Sequence, residues 1–172
     1  MSCTKNMTFE ECELEILRNA VDNAEKSEGA KLVSDPEIKQ IIQTVEEFIR
    51  KRKLVCYGGT AINNLLPESD KFYDLNIELP DYDVYSSNAM KDAKDLADIY
   101  VKQGFTEVEA KSGMHHGTYK VYVNYLPVAD ITQVGDEIFK KILEKSKSVA
   151  GIKYAPINFL RMNMYKELSR LR

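Results

Sequence analysis

The spacing of apolar residues predicts two helices at the start of the chain. Residues 9–26 have the pattern of a helix that packs through one side, formed by Phe9, Leu14, Ile16 and Leu17. Asp35 and Pro36 are typical of an N-cap and a first-turn proline, and they open a helix predicted to end near Lys53. This second helix has an apolar stripe at helical spacing, made of Ile38, Ile41, Ile42, Val45 and Ile49.

A short apolar run at 54–57 predicts a buried strand, and the pattern changes directly after it. Gly58 and Gly59 break the strand, and residues 60–66 have the spacing of a short helix. Glycines there would let backbone amides approach a phosphate, the helix N-terminus favours negative charge, and the Thr60 hydroxyl can add a hydrogen bond. An ordinary tight turn between a strand and a helix is the alternative interpretation.

The later part of the chain mixes helix and strand patterns. Residues 88–104 predict a helix with Gly104 as its C-cap, and a strand is expected at 106–110. Residues 118–134 alternate as two strands, or as one bent strand, interrupted at Leu126–Pro127. Strands separated by helices, with hairpin-like pieces later, predict an α+β (α/β) domain with a mixed sheet flanked by helices.

Two aspartates one residue apart, Asp81 and Asp83, are the most restrictive feature of the sequence. In an extended strand both carboxylates point to one face, while Tyr82 and Val84 point to the other. Carboxylates this close repel each other, and a divalent cation would remove that penalty. Mg²⁺ favours one or two carboxylates together with substrate phosphates, so the pair suggests a Mg²⁺–nucleotide site. The alternative is an aspartate-rich turn after Pro80.

A third carboxylate, Asp130, lies between apolar residues of the predicted strands. A carboxylate in such a strand is costly unless it binds a metal or is paired, for example with nearby backbone. Two ions about 3.5–4 Å apart, as used in phosphoryl transfer, need ligands from more than one strand. Asp130 is therefore the expected third ligand beside Asp81 and Asp83.

Composition narrows the possible partners. The chain has 172 residues, about one domain, and a net charge of −3, so any RNA path must be a local basic patch. Cys3, Cys12 and Cys56 are odd in number and lack the CxxC spacing of zinc sites, which suits a reducing compartment. No run of about 18 apolar residues and no signal peptide pattern occurs, so no membrane partner is expected.

Three smaller features have a functional and a plain structural interpretation. The basic run at 50–53 is either an RNA-facing patch or a set of cations that favour a helix C-terminus. His115 and His116 are adjacent and would point apart in a strand, so we interpret them as loop or RNA-proximal residues rather than metal ligands. The tyrosines of the predicted strands are Tyr119, Tyr122 and Tyr125. They either stack on bases or simply pack against neighbouring side chains.

These motifs in combination resemble a known family. The order of glycine pair, short helix, DxD pair and later strand aspartate is similar to the nucleotidyltransferase superfamily of polymerase-beta-like folds. The closer resemblance is to the poly(A) polymerase catalytic subunit of large cytoplasmic DNA viruses. It covers about residues 36–172 and rests on CYGGTAINNLLP (56–67), LPDYDVYS (79–86), GTYKVYVNYLPVADIT (117–132) and INFLRMNMYKELSR (157–170).

The resemblance implies a polymerase-beta-like nucleotidyltransferase fold and template-independent addition of AMP from ATP to RNA 3′ ends. It implies that Gly58 and Gly59 contact the triphosphate, and that two Mg²⁺ or Mn²⁺ ions are bound by Asp81, Asp83 and Asp130. The implied partners are ATP, the RNA 3′ end, and a processivity subunit or a second copy of the chain. The implied location is cytoplasmic, in the host cell or the virion.

Two departures from the family pattern are visible. Twenty-one residues separate Gly59 from Asp81, so residues 67–80 are expected to loop out near the site, with Asp74 and Glu78 as bystanders. We expect a helical extension at 1–35 and a catalytic domain at 36–172, without the downstream domains of such polymerases. The chain stops within a predicted helix that carries Phe159, Leu160, Met164 and Leu168.

Two alternative functions therefore stay open. One is a nucleotide-binding domain of this fold that is non-catalytic or depends on a partner. The other is a nucleotidyltransferase that uses the same site with a different acceptor.

Overall fold

The computed structural model describes residues 7–160, which build a seven-stranded mixed sheet with helices. The helices are α1 (Phe9–Ser34), α2 (Pro36–Arg52), α3 (Gly58–Leu65), α4 (Ala89–Lys102) and α5 (Asp136–Glu144), and a 3-10 turn spans Glu68–Asp70. The strands are β1 (Val55–Tyr57), β2 (Tyr82–Ser86), β3 (Val108–Ser112), β4 (Thr118–Val123), β5 (Leu126–Gln133), β6 (Lys147–Val149) and β7 (Ile152–Tyr154).

The order of strands across the sheet is β3-β4-β5-β2-β1-β7-β6. The pairs β2–β5 and β1–β7 are parallel, and all other neighbours in the sheet are antiparallel. Each parallel pair joins strands that are distant in sequence, because parallel neighbours need a crossover connection. The mixed sheet with its helices confirms the predicted α+β fold class.

Helix α2 confirms the predicted cap and apolar stripe. The Asp35 carboxylate accepts hydrogen bonds from two amides in the first turn of the helix. The predicted stripe is buried, with Ile42 half-buried. Helix α2 also contacts α4, where the Tyr100 hydroxyl donates a hydrogen bond of 2.7 Å to the carbonyl of Ile41. The two helices therefore share the hydrophobic core with the sheet.

Helix α1 confirms the helix predicted at 9–26 and extends it to Ser34, but the predicted packing is wrong. Its four expected packing residues are exposed, by 76% for Phe9 and 46% for Ile16, and none of its described residues is buried. The apolar residues are spread around the helix, so they form no continuous stripe that the sheet could bury.

The hairpin between β4 and β5 settles the alternative left open for 118–134 in favour of two strands. The turn is at Asn124–Tyr125, where both residues have positive φ, 49° and 65°, so the break predicted at Leu126–Pro127 is wrong by two residues. Pro127 lies within β5 opposite Tyr122. A proline is tolerated there because β2 pairs with β5 only from Ala129 onwards.

The remaining predicted elements differ from the structure mainly at their ends. The C-cap of α4 is Gln103, one position earlier than the predicted Gly104, and Gly104 follows it with a φ of 99°. The strand expected at 106–110 begins at Val108. The helix predicted through Leu168 lies outside the described residues beyond position 160. Within the part of the chain that the structure describes, no helix has the length and apolarity needed to cross a membrane.

Candidate active site beside the glycine turn

A row of polar side chains crosses the middle of the sheet. Asp83 on β2 pairs in register with Asp130 on β5, and the row continues to Tyr57 on β1 and Lys120 on β4. Residues in register on neighbouring strands point to the same face of a sheet. Two of the three predicted aspartates are therefore direct neighbours on one face.

The opposite face explains why the carboxylates point where they do. The alternate positions Cys56, Val84 and Ile131 are in register with one another and no more than 1% exposed. Burial of this apolar row fixes the orientation of the three strands, because a one-residue slip would expose it. Asp83 and Asp130 consequently face the side of the sheet that carries the polar row.

Asp81 lies one residue before β2 begins, so it is not part of the paired strand. Its carbonyl accepts a hydrogen bond of 2.7 Å from the Thr60 hydroxyl. Although the residue is exposed, surrounding protein atoms desolvate its carboxyl and raise the pKa, the charge of Asp130 raises it further, and Lys120 lowers it. Asp81 is thus electrostatically coupled to Asp130.

Lys120 is a site residue that the sequence analysis missed. Its ammonium group donates to Oδ2 of Asp130, and this hydrogen bond is the main reason why the pKa of Lys120 is raised. The other oxygen of the same carboxylate, Oδ1, is buried and has no hydrogen-bond partner among the described residues. The alternation of Thr118, Lys120 and Tyr122 could have identified the face of Lys120, but not its partner on β5.

Gly58, the first residue of α3, has two reasons to be glycine. Its φ is +77°, which disfavours residues with a Cβ atom. A Cβ atom built there would also lie 2.2 Å from Oδ2 of Asp83. The glycine turn therefore lies directly against the Asp83 carboxylate.

Gly59 and Thr60 occupy the first turn of α3 and make different contacts. A Cβ atom at Gly59 would lie 2.8 Å from the hydroxyl oxygen of Tyr73, which belongs to the loop at 67–80. The Thr60 hydroxyl donates to Asp81, so in this structure it fastens α3 to the start of β2. The loop at 67–80 therefore reaches the glycine turn.

Two tyrosines on neighbouring strands form an aromatic contact on the same face as the carboxylates. The rings of Tyr57 and Tyr85 stack with centroids 4.0 Å apart, and Phe159 meets Tyr85 edge-on. The Tyr57 hydroxyl lies 2.9 Å from the hydroxyl of Thr132. Burial is the main cause of the raised pKa of Tyr57, and the negative charge of Asp83 adds to it.

The donor set suits a hard divalent cation. The aspartates offer oxygen ligands, and the buried, unpartnered Oδ1 of Asp130 lacks the contact that an ion would supply. Within the described residues, no three His, Cys, Asp or Glu side chains are grouped closely enough to hold a metal by themselves. The predicted set of Asp81, Asp83 and Asp130 is therefore not brought together as one three-ligand group. Mg²⁺ itself usually takes one or two carboxylates and completes its shell with water and substrate phosphates.

The other predicted features lie away from this row or have structural partners. Arg50 and Arg52, from the basic run at 50–53, form ion pairs with carboxylates on α2 and α4. His115 and His116 lie in an exposed turn before β4. Asp74 accepts a hydrogen bond from the Asn76 amide within its own loop.

The predicted strand tyrosines also have contacts or exposure of their own. The ring of Tyr122 lies beneath the Lys111 ammonium, and Tyr125 is exposed at the hairpin turn. Tyr119, on the alternate face of β4, is half-buried against the core.

The fold and the carboxylate row define a nucleotidyltransferase fold, and comparison with a solved structure agrees with this class. The crystal structure of the Megavirus polyadenylate synthase superimposes with a TM-score of 0.79 and 26% sequence identity. The match covers 95% of this chain and 33% of that protein.

Sequence comparison identifies the family within that class. A sequence model of the family "Poly(A) polymerase catalytic subunit" matches residues 43–171, so the chain belongs to this family. A protein of Acanthamoeba polyphaga mimivirus assigned as a poly(A) polymerase catalytic subunit is 30% identical over 137 residues, 78% of this chain. A protein with the same assignment from African swine fever virus, strain Badajoz 1971 Vero-adapted, is 37% identical over 106 residues, 62% of this chain. The chain spans 23% and 22% of these two relatives.

Proposed function

We propose that this chain is the catalytic domain of a polynucleotide adenylyltransferase, which adds AMP from ATP to RNA 3′ ends without a template. The observation that carries the proposal is the pairing of Asp83 with Asp130 on parallel strands while Gly58 lies against the Asp83 carboxylate. A triphosphate bound at the glycine turn would therefore lie beside two carboxylates from different strands. Membership of the poly(A) polymerase catalytic subunit family supports this activity.

Each residue of the site has a proposed role. The backbone amides at Gly58 and Gly59 would donate hydrogen bonds to the triphosphate. The Thr60 hydroxyl holds the start of β2 against that turn. Two Mg²⁺ or Mn²⁺ ions would be held by Asp81, Asp83 and Asp130. Bound there, the ions would supply Lewis-acid chemistry, which lowers the pKa of the attacking 3′-hydroxyl and neutralises charge on the leaving pyrophosphate.

The proposal extends to the organisation and partners of the protein. Residues 36–172 would form the catalytic domain and residues 1–35 a helical extension. Its substrates would be ATP and the RNA 3′ end, and its partner a processivity subunit or a second copy of the chain. The relatives from viruses support an action in the host cytoplasm or the virion.

The test is incorporation of labelled ATP, against the other three nucleotides, into a short RNA primer with Mg²⁺. Asp83→Asn and Asp130→Asn keep the side-chain shape and remove the charge, so we expect at least about 100-fold less incorporation from each. The matched control is Asp95→Asn on α4, where the carboxylate pairs with Arg52 and Lys91 away from the row. Its activity should stay close to wild type. Undiminished incorporation by Asp83→Asn would contradict the proposed metal ligands.

The same experiment tests a second candidate, a nucleotide-binding domain that needs a partner to act. The observation in its favour is that Lys120 already pairs with Asp130. Binding of Mg²⁺–ATP without any incorporation would support this candidate. Magnesium-dependent tails of A that require Asp83 would exclude it.

A further inference from the structure

The loop at 67–80 presents two aromatic residues close to the glycine turn. Phe72 is 54% exposed and Tyr73 is 41% exposed, and their ring centroids are 4.6 Å apart. The sequence alone predicts only that this loop is an insertion between Gly59 and Asp81 that loops out near the site. Its conformation shows that it is built against α3.

A buried asparagine fixes this loop to the helix. Oδ1 of Asn63 accepts hydrogen bonds of 2.9 Å from the backbone amides of both Phe72 and Tyr73. Asn63 is only 1% exposed and lies four residues after Gly59, one turn further along the same side of α3. These two hydrogen bonds therefore attach the Phe72–Tyr73 segment of the loop to α3, the helix that begins with the glycine turn.

The Tyr73 hydroxyl is placed at the start of α3. A Cβ atom at Gly59 would lie 2.8 Å from this oxygen, so a larger residue there would push the hydroxyl aside. Among the described residues the hydroxyl has no hydrogen-bond partner. A phenol O–H is a good donor, and a partly exposed one without a protein acceptor is available to a ligand.

A small cavity lies beside this hydroxyl. It has a volume of about 120 Å³ and its lining includes Thr60, Asn63, Tyr73 and Asp81. Nδ2 of Asn63 is buried and lacks a hydrogen-bond partner among the described residues. Tyr73 and Asn63, which each carry a donor without a described hydrogen-bond partner, therefore line the same cavity as the acidic residues Glu78 and Asp81.

We propose that the Tyr73 hydroxyl donates a hydrogen bond to a phosphate oxygen of the bound nucleoside triphosphate. This inference rests on the proposed function, because it assigns a further substrate contact to the same site. Phosphate oxygens are acceptors only, and the hydroxyl lies against the backbone that is proposed to hold them. Asn63 is the residue that positions the loop for this contact.

The test compares Tyr73→Phe, which removes only the hydroxyl, with the wild type. Calorimetric titration with Mg²⁺–ATP, and separately with Mg²⁺ and inorganic triphosphate, should show about 10-fold weaker binding of both, as expected for a hydrogen bond to a charged group. The matched control is Tyr125→Phe, whose exposed hydroxyl lies 3.3 Å from Glu107 beside the β4–β5 turn. It should bind both ligands as the wild type does.

Three other outcomes would overturn the inference, and they can be told apart. Equal binding by Tyr73→Phe and wild type would show that the hydroxyl contacts no phosphate, and would leave the proposed function intact. Weaker binding of ATP with unchanged binding of inorganic triphosphate would place the contact on the nucleoside instead. A wild-type protein that binds neither ligand would overturn both this inference and the proposed function.

Discussion

Gly58 is the residue on which the geometry of the site depends most directly. Its positive φ turns the chain from β1 into α3, and the missing side chain leaves room for the Asp83 carboxylate. Gly104 also has a positive φ, 99°, but a Cβ atom built there would meet nothing within 4 Å. Alanine at position 104 would therefore cause backbone strain alone, whereas alanine at position 58 would cause the same strain and also displace Asp83.

We predict that Gly58→Ala reduces both stability and function, whereas Gly104→Ala reduces stability alone. Each alanine forces an unfavourable φ and should lower the free energy of unfolding by about 1–2 kcal/mol. Only the alanine at 58 also displaces Asp83, so only that variant should lose Mg²⁺–ATP binding. Urea unfolding and calorimetry measure the two effects. Normal nucleotide binding by Gly58→Ala would show that the carboxylate does not depend on this contact.

At the scale of elements, two consecutive helices have similar caps and very different packing. Thr8 caps α1 in a reciprocal capping box with Glu11, and Asp35 caps α2. The described part of α1 has no buried residue, whereas α2 buries six, Ile38, Ile41, Thr44, Val45, Phe48 and Ile49. Caps act locally, so their effect on global stability depends on whether the capped helix belongs to the core.

We predict that Asp35→Ala lowers the free energy of unfolding by about 1 kcal/mol, the usual cost of a lost N-cap. Thr8→Ala removes a comparable cap and should change the global value by less than about 0.5 kcal/mol, because none of the described residues of α1 is buried in the core. Equilibrium urea unfolding, followed by circular dichroism, measures both variants. Equal losses would mean that α1 unfolds together with the core.

At the scale of the whole molecule, the core holds several weak acids in their protonated form. Burial, with smaller contributions from Asp83 and Glu46, raises the pKa of the Cys56 thiol from 9.0 to about 12. Burial also raises the pKa of Tyr82 and Tyr100 above the usual tyrosine value. The folded state therefore binds these protons more tightly than the unfolded state does.

We predict that the protein loses stability as the pH rises above about 9. Between pH 9 and 12 the folded state keeps the Cys56 proton while the unfolded state releases it, so the free energy of unfolding falls with pH. By pH 10 this group alone should remove on the order of 1 kcal/mol relative to pH 7, and the tyrosines add to the loss above pH 10. Urea unfolding at pH 7, 9 and 10 measures the slope. In Cys56→Ala the slope between pH 9 and 10 should be smaller, and an unchanged slope would assign the effect to other groups.

Local features of this protein can be predicted from the sequence alone. The alternation around Asp83 and Asp130 predicted which side of each strand is polar, and Asp35 with Pro36 predicted the start of α2. Gly58 and Gly59 predicted the turn from strand to helix. These features depend on residues that are close in sequence, where strand and helix periodicity and backbone sterics act directly. The mixed α+β fold followed from the order of such elements.

Which of these elements contact one another depends on the tertiary structure. Three features depend on residues that are neighbours in space but not in sequence. They are the pairing of Lys120 with Asp130, the contact of Tyr73 with Gly59 and the exposure of α1. Periodicity shows which face a side chain occupies but contains no information about the strand or loop opposite. The register between β2 and β5, which are about 40 residues apart in sequence, is set by burial of the apolar face across the whole sheet. For that reason the faces of Asp83 and Asp130 could be predicted from the sequence, while their pairing in register and their lysine and tyrosine neighbours could not.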